Sequence, residues 1–290
     1  YGNLYTDCRT LGRRNCSVNG VRVGANMEYL KKNGKKLCFF LPFLLLVILF
    51  LLVPFVSMVK QSFTGSDGGF SIACFQEIFT KTVYLKAIKN SIWISIWATV
   101  AGLIVDFFLA LSLTKASKRK KNWYLSLLNL TSTFAGLPLT LSFITILGTA
   151  GVFVLISQKI GFSALANYDL YSLNGMFLIY LYFQIPMGTL LLVPAFEEVK
   201  KEWREAAVLM NCSPIRFWCK IGIPVMMPAI MGTTGMLFAN ALTAYTTPYL
   251  LVNNSIALLP IKIADMFVGD VRQRPELGSA LSLVMLGIIV

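Results

Sequence analysis

Long apolar runs separated by short charged breaks set the pattern of this chain. The runs cover residues 37–59, 90–113, 123–157, 173–196, 229–251 and 278–290. Five of them exceed the ~18 residues that mark a bilayer-crossing helix. The pattern therefore predicts an all-α fold, a polytopic helical membrane protein with spans at those positions. The run at 123–157 is over-long for one helix, and Gly136-Leu137-Pro138 and Gly148 to Gly151 predict a kink or break within it. The run at 278–290 falls short of the ~20 residues that a span needs, so the chain is expected to stop inside a sixth, truncated helix. An amphipathic piece around FQEIFTK lies in the segment 60–88.

The most informative break is 197–228, EEVKKEWREAAVLMNCSPIRFWCKIGIPVMMP. Spans flank it on both sides, so it must lie at a membrane surface. Its pattern predicts two short helices around a bend, the first ending near Met210 and the second starting near Ser213. Glu197, Glu198, Glu202 and Glu205 gather toward the start of the first helix, where carboxylates meet the positive end of the dipole. Ala206 and Ala207 form a small-residue patch that another surface can approach closely. Asn211 stands where a helix would end, and Asn commonly replaces Gly in the left-handed cap conformation. Ser213 and Pro214 read as N-cap and first helical residue, and Pro224 and Pro228 mark the approach to the next run. An amphipathic surface loop without any partner would show the same features.

Composition agrees with the membrane reading. Of 290 residues, 56% are hydrophobic and 13% charged, about half the charged share of a soluble domain. The net charge of +13 would also suit nucleic acid, but the basic residues cluster in breaks between apolar runs. Lys31, Lys32, Lys35 and Lys36, the group Lys115 to Lys121, and Lys200, Lys201, Arg204, Arg216 and Lys220 fall on one side. The other side carries fewer over longer segments: Lys60, Lys81, Lys86, Lys89, Lys159, Lys262, Arg272 and Arg274. The bias places the N-terminus and the 197–228 loop in the cytoplasm, and 60–88, 158–172 and 252–277 outside. Residues 1–26 carry Arg but no Lys, lack an apolar core and precede Met27. They read as a non-native or disordered extension and not as a secretory signal.

Chemistry is sparse. There is no His, the six cysteines lack metal-ligand spacing, and no nucleophile–base pair is visible, so neither a catalytic nor a metal site is expected. No G-x-x-x-x-G-K-[ST] loop is present to cradle phosphates. Within the runs, Asp106 would cost roughly 2.5–3.5 kcal/mol at a helix centre. It reads either as a functional carboxylate or as a structural contact. Gln184 either faces a translocation path or bonds a neighbouring helix. Asn240 and Tyr245, in a run rich in Thr, are the other candidates for lining a path. A secondary transporter would need several intramembrane charges, and only Asp106 lies in a clear span.

The loop motif resembles the signature of permease subunits of bacterial ABC importers: Glu-Ala-Ala, three residues, Gly, nine residues, Ile-x-Leu-Pro. Here it stands as Glu205-Ala206-Ala207, Asn211 in place of the Gly, Ile221, and Ile223-Pro224. FAGLPLTLSFITILGTAG, LIYLYFQIP and LLPIKIADMFVGDVRQRPELGSALSLVM are similar to the spermidine/putrescine-type group, whose relatives also handle ferric iron, phosphonate and thiamine. The resemblance implies a six-helix type I importer permease in the bacterial inner membrane, with 197–228 as a coupling helix. It further implies a cytoplasmic ATPase dimer that uses ATP and Mg, a second permease subunit and an external or periplasmic substrate-binding protein. On that resemblance the subunit binds no cofactor and moves a small solute, a polyamine first among the options.

Overall fold

The computed structural model describes residues 41–65, 69–160, 169–252, 255–268 and 273–290. The 1–26 extension and Lys31, Lys32, Lys35 and Lys36 lie outside the described residues. What is described is helical, with one lone antiparallel bridge between Thr64 and Phe70.

Helix α1 (Leu41–Ser62) is apolar on every face, has the length of a span and contains a π-type turn at Ile48–Leu52. Its part up to Ser57 forms a unit of its own. The second unit begins at Met58 with the end of α1 and continues with α2 (Ala73–Thr80), the amphipathic piece expected from FQEIFTK, and α3 (Thr82–Lys115). Then follow α4 (Lys118–Thr133), α5 (Leu137–Leu147), α6 (Val152–Ile160) and α7 (Leu173–Glu198). The remainder is α8 (Lys201–Leu209), α9 (Pro214–Thr243), α10 (Thr246–Val252), α11 (Leu259–Val268) and α12 (Pro275–Ile289).

The centre of this unit is a packed trio of α3, α7 and α9. Helix α3 is built inside out. Ser91, Ser95, Ala98, Thr99, Gly102, Asp106 and Ala110 recur at helical spacing on its buried face. Trp93, Trp97, Val100, Ile104 and Phe108 recur on the opposite, exposed face. Lipid solvates that apolar face, whereas small and hydroxyl residues allow the backbones inside to approach.

Three expected boundaries change. The run 123–157 breaks at both glycine sites, as expected, but its first part belongs to α4, which starts earlier, in the basic segment, and packs on α7. Gly136, at φ 71°, then turns the chain, and Pro138 starts α5. The run 229–251 divides at Ala244, because Pro248 near the start of α10 cannot continue the preceding helix. The second loop helix does not end before the next span. Pro214 through Thr243 is one helical stretch. Pro224 and Pro228 are tolerated within it beside a π-type turn at Trp218–Gly222, where Ile223 N–H bonds Trp218 O.

Candidate functional site: the α8–α9 elbow and the polar seam

The elbow is fixed by backbone capping. Met210 N–H bonds Ala206 O, Asn211 N–H bonds Val208 O, and Cys212 N–H bonds Ala207 O at 2.9 Å. Asn211 has φ 54°. This is the pattern in which a left-handed residue lets the last helical carbonyls find partners after the helix stops. Ser213 then caps α9, its Oγ accepting from Arg216 N–H at 3.4 Å, with Pro214 as the first helical residue. Asn211 thus occupies the conformation that a glycine would adopt most easily.

The side chains divide by face. Ala207 is 2% exposed and Phe217 3% exposed, both turned into the protein. Val208, Leu209, Met210 and Ile215 project outward, with Leu209 89% exposed. Glu205 and Ala206 are exposed, Ile221 is half-buried and Pro224 is exposed. Two expectations are corrected here. Ala207 cannot be part of a patch offered to another surface, because successive helical residues point in different directions and only Ala206 of the pair faces outward. Glu197 and Glu198 do not start the first loop helix but end α7. A carboxylate at a helix C-terminus is unfavourable by itself, and Lys121 of α4 ion-pairs with Glu197 there. Of the four glutamates, only Glu202 sits in the first turn of α8.

The polar candidates within the spans meet in a seam of the α3–α7–α9 trio. Asp106 is fully buried, and Thr189 Oγ1 donates to its Oδ1 at 2.9 Å. Gln184, also fully buried, donates through Nε2 to Leu237 O on α9 at 3.2 Å. Glycines make this possible: a Cβ on Gly188 would come within 1.9 Å of Asp106 Oδ2, and one on Gly102 within 3.1 Å of Gln184 Oε1. In this conformation neither Asp106 nor Gln184 reaches an open path. Asn240 is half-buried, its Nδ2 donating to Met187 Sδ at 3.5 Å. Tyr245 lies in the break between α9 and α10, its ring stacked on that of Tyr249 at 5.2 Å. Thr189, Gly188 and Gly102 were not singled out from the sequence, although Ser95, Thr99 and Asp106 already mark the same face of α3. Among the described residues there is no group of three or more His, Cys, Asp or Glu able to hold a metal.

Long apolar helices around a tight polar seam, with a capped elbow leading into one of them, define a multi-pass helical membrane protein. Residues 107–290 match the family described as binding-protein-dependent transport system inner membrane component, and the chain belongs to that family. It is 26% identical over 195 residues to the putative 2-aminoethylphosphonate transport system permease protein PhnU of Salmonella typhimurium, covering 66% of this chain and 67% of that one. It is 24% identical over 168 residues to the thiamine transport system permease protein ThiP of Haemophilus influenzae, covering 58% of this chain and 31% of that protein. The fold is similar to a bacterial ABC transporter involved in the import of the acidic polysaccharide alginate, with TM-score 0.71 and 16% identity over 91% of this chain and 96% of the other.

Proposed function

We propose that this chain is the non-catalytic permease subunit of an ATP-driven importer, and that the α8–α9 elbow is the part its ATPase grips. The observation that carries this is the elbow's tip: Val208, Leu209, Met210 and Ile215 are exposed apolar side chains on a bend stiffened by capping. Apolar residues held rigidly in an otherwise charged loop suit insertion into a partner's cleft. The tip belongs to the basic side of the molecule, which the charge bias assigns to the cytoplasm together with the N-terminus. ATP and Mg act on the partner ATPase dimer. Its closure displaces α8, and α7 and α9 transmit the motion to the α3–α7–α9 trio. A second permease subunit completes the path, and an external binding protein delivers the solute.

The solute is small, and its class follows the binding protein. A polyamine gains little from these residues. Asp106 is the one carboxylate in the interior of the described spans, and it is buried and bonded to Thr189. The relatives are named for phosphonate and thiamine. The test is Leu209→Glu in the assembled transporter. Burying an unpaired charge at an interface centre should weaken ATPase co-purification by at least about thirtyfold and abolish ATP-dependent uptake. Normal uptake with the ATPase still bound would overturn the assignment.

A further inference from the structure

Beside the elbow, at the ends of α3 and α7, lies a cavity of about 560 Å³. Its floor is aromatic. Phe196, Phe217 and Trp218 line it, with Trp218 centred 5.7 Å from Phe196 and 5.8 Å from Phe217. Gly222 leaves room for that indole: a Cβ there would come within 2.4 Å of the Trp218 ring. The rim is cationic, with Lys115 from α3, Lys200 and Lys201 at the start of α8, and Arg204 one turn further on. All four are exposed and make no ion pair among the described residues. Glu197 also borders the cavity, but Lys121 engages its carboxylate. The carbonyl ends of α3 and α7 add only partial negative charge, and four full positive charges outweigh them.

We propose that this cavity binds the phosphate headgroup of an anionic phospholipid in the leaflet next to the elbow. A cationic rim alone would attract any anion. The aromatic floor between two spanning helices adds a requirement that a lipid meets, because the same ligand must present a phosphate and an apolar glycerol–acyl junction. Tryptophan favours that depth of the bilayer, and basic pockets between spanning helices hold lipid headgroups. The apolar tip of the elbow is a separate set of residues, so lipid and ATPase have different footholds. The bound phosphate would fix Lys200, Lys201 and Arg204 and so hold the first turn of α8 against the spans. This inference rests on the membrane location of the family and does not depend on the ATPase reading.

The test uses the full chain, purified in detergent and stripped of lipid, with phosphatidylglycerol and phosphatidylcholine as probes in native mass spectrometry. Phosphatidylglycerol should be retained in preference, and the preference should fall about fivefold for each of Lys200→Ala, Lys201→Ala and Arg204→Ala. Lys118→Ala and Lys120→Ala on neighbouring α4 should leave it unchanged. Brominated phosphatidylglycerol should quench a fluorescence component that Trp218→Phe removes, a readout that locates the lipid in folded protein. Equal retention of both lipids, or an equal loss in the α4 variants, would overturn the proposal. Binding of inorganic phosphate without lipid preference would assign the pocket to a soluble anion and overturn it too. Loss of the ATPase in the pocket variants with lipid preference intact would do the same.

Discussion

Asn211 shows how much one backbone conformation decides. Its φ of 54° ends α8 and aims the chain into Ser213 and Pro214. A β-branched residue resists that conformation by roughly 1–2 kcal/mol, whereas glycine adopts it freely. Asn211→Gly should therefore keep the elbow and its ATPase affinity. Asn211→Val should lower thermal stability by about that amount and weaken ATPase binding, as read by thermal unfolding and co-purification in detergent. The residue was legible in the sequence because few residue types end a helix this way. The neighbouring Ala206-Ala207 pair was not read correctly. A short motif gives spacing but not which side of a helix faces the protein, and only packing turns Ala207 inward.

Among the elements, α3, α7 and α9 pack together most extensively, and their seam depends on missing side chains. Gly188 lets Asp106 lie against the α7 backbone while Thr189 donates to it. Gly188→Ala should therefore crowd the carboxylate and cost about 1–3 kcal/mol. In an Asp106→Ser background most of that cost should vanish, since the two positions share one contact. A double-mutant cycle on thermal unfolding measures this; additive effects would mean that the two helices do not meet there. Hydropathy located these helices well, because lipid-facing stripes dominate the apolar signal. It placed the start of α4 too late and did not show that the helix starting near Ser213 runs on into the next span. A helix can begin in charged sequence, and prolines do not always end one: α7 runs through Pro186 and Pro194, and a π-type turn at Trp218–Gly222 precedes Pro224 in α9.

For the whole molecule, the end opposite the elbow is fastened by a different device. Arg274, just before α12, makes a two-pronged pair with Glu77 of α2, both bonds at 2.7 Å. The guanidinium lowers the Glu77 carboxyl from its usual 4.5 to about 2. Because the folded value is the lower one, the pair contributes fully above about pH 4.5 and progressively less as the pH falls toward about 2. Protection of α2 amides from hydrogen exchange should drop as the pH goes from neutral to about 3, and Glu77→Gln should be weaker already at neutral pH and respond less. Nothing in the sequence pairs residues so far apart. The spans and the elbow were legible because each is local, while this fastening and the Asp106 seam arise only when distant helices pack.

If the elbow is the ATPase's grip, its apolar tip sits in a cleft of the cytoplasmic ATPase. Leu209→Cys, cross-linked in the assembled importer to cysteines placed along the ATPase surface, probes that placement at the tip itself. A strong cross-link to one cleft, changing in yield when ATP is added, is the predicted result. Labelling of the same cysteine from outside intact cells, with no cross-link to the ATPase, would contradict it.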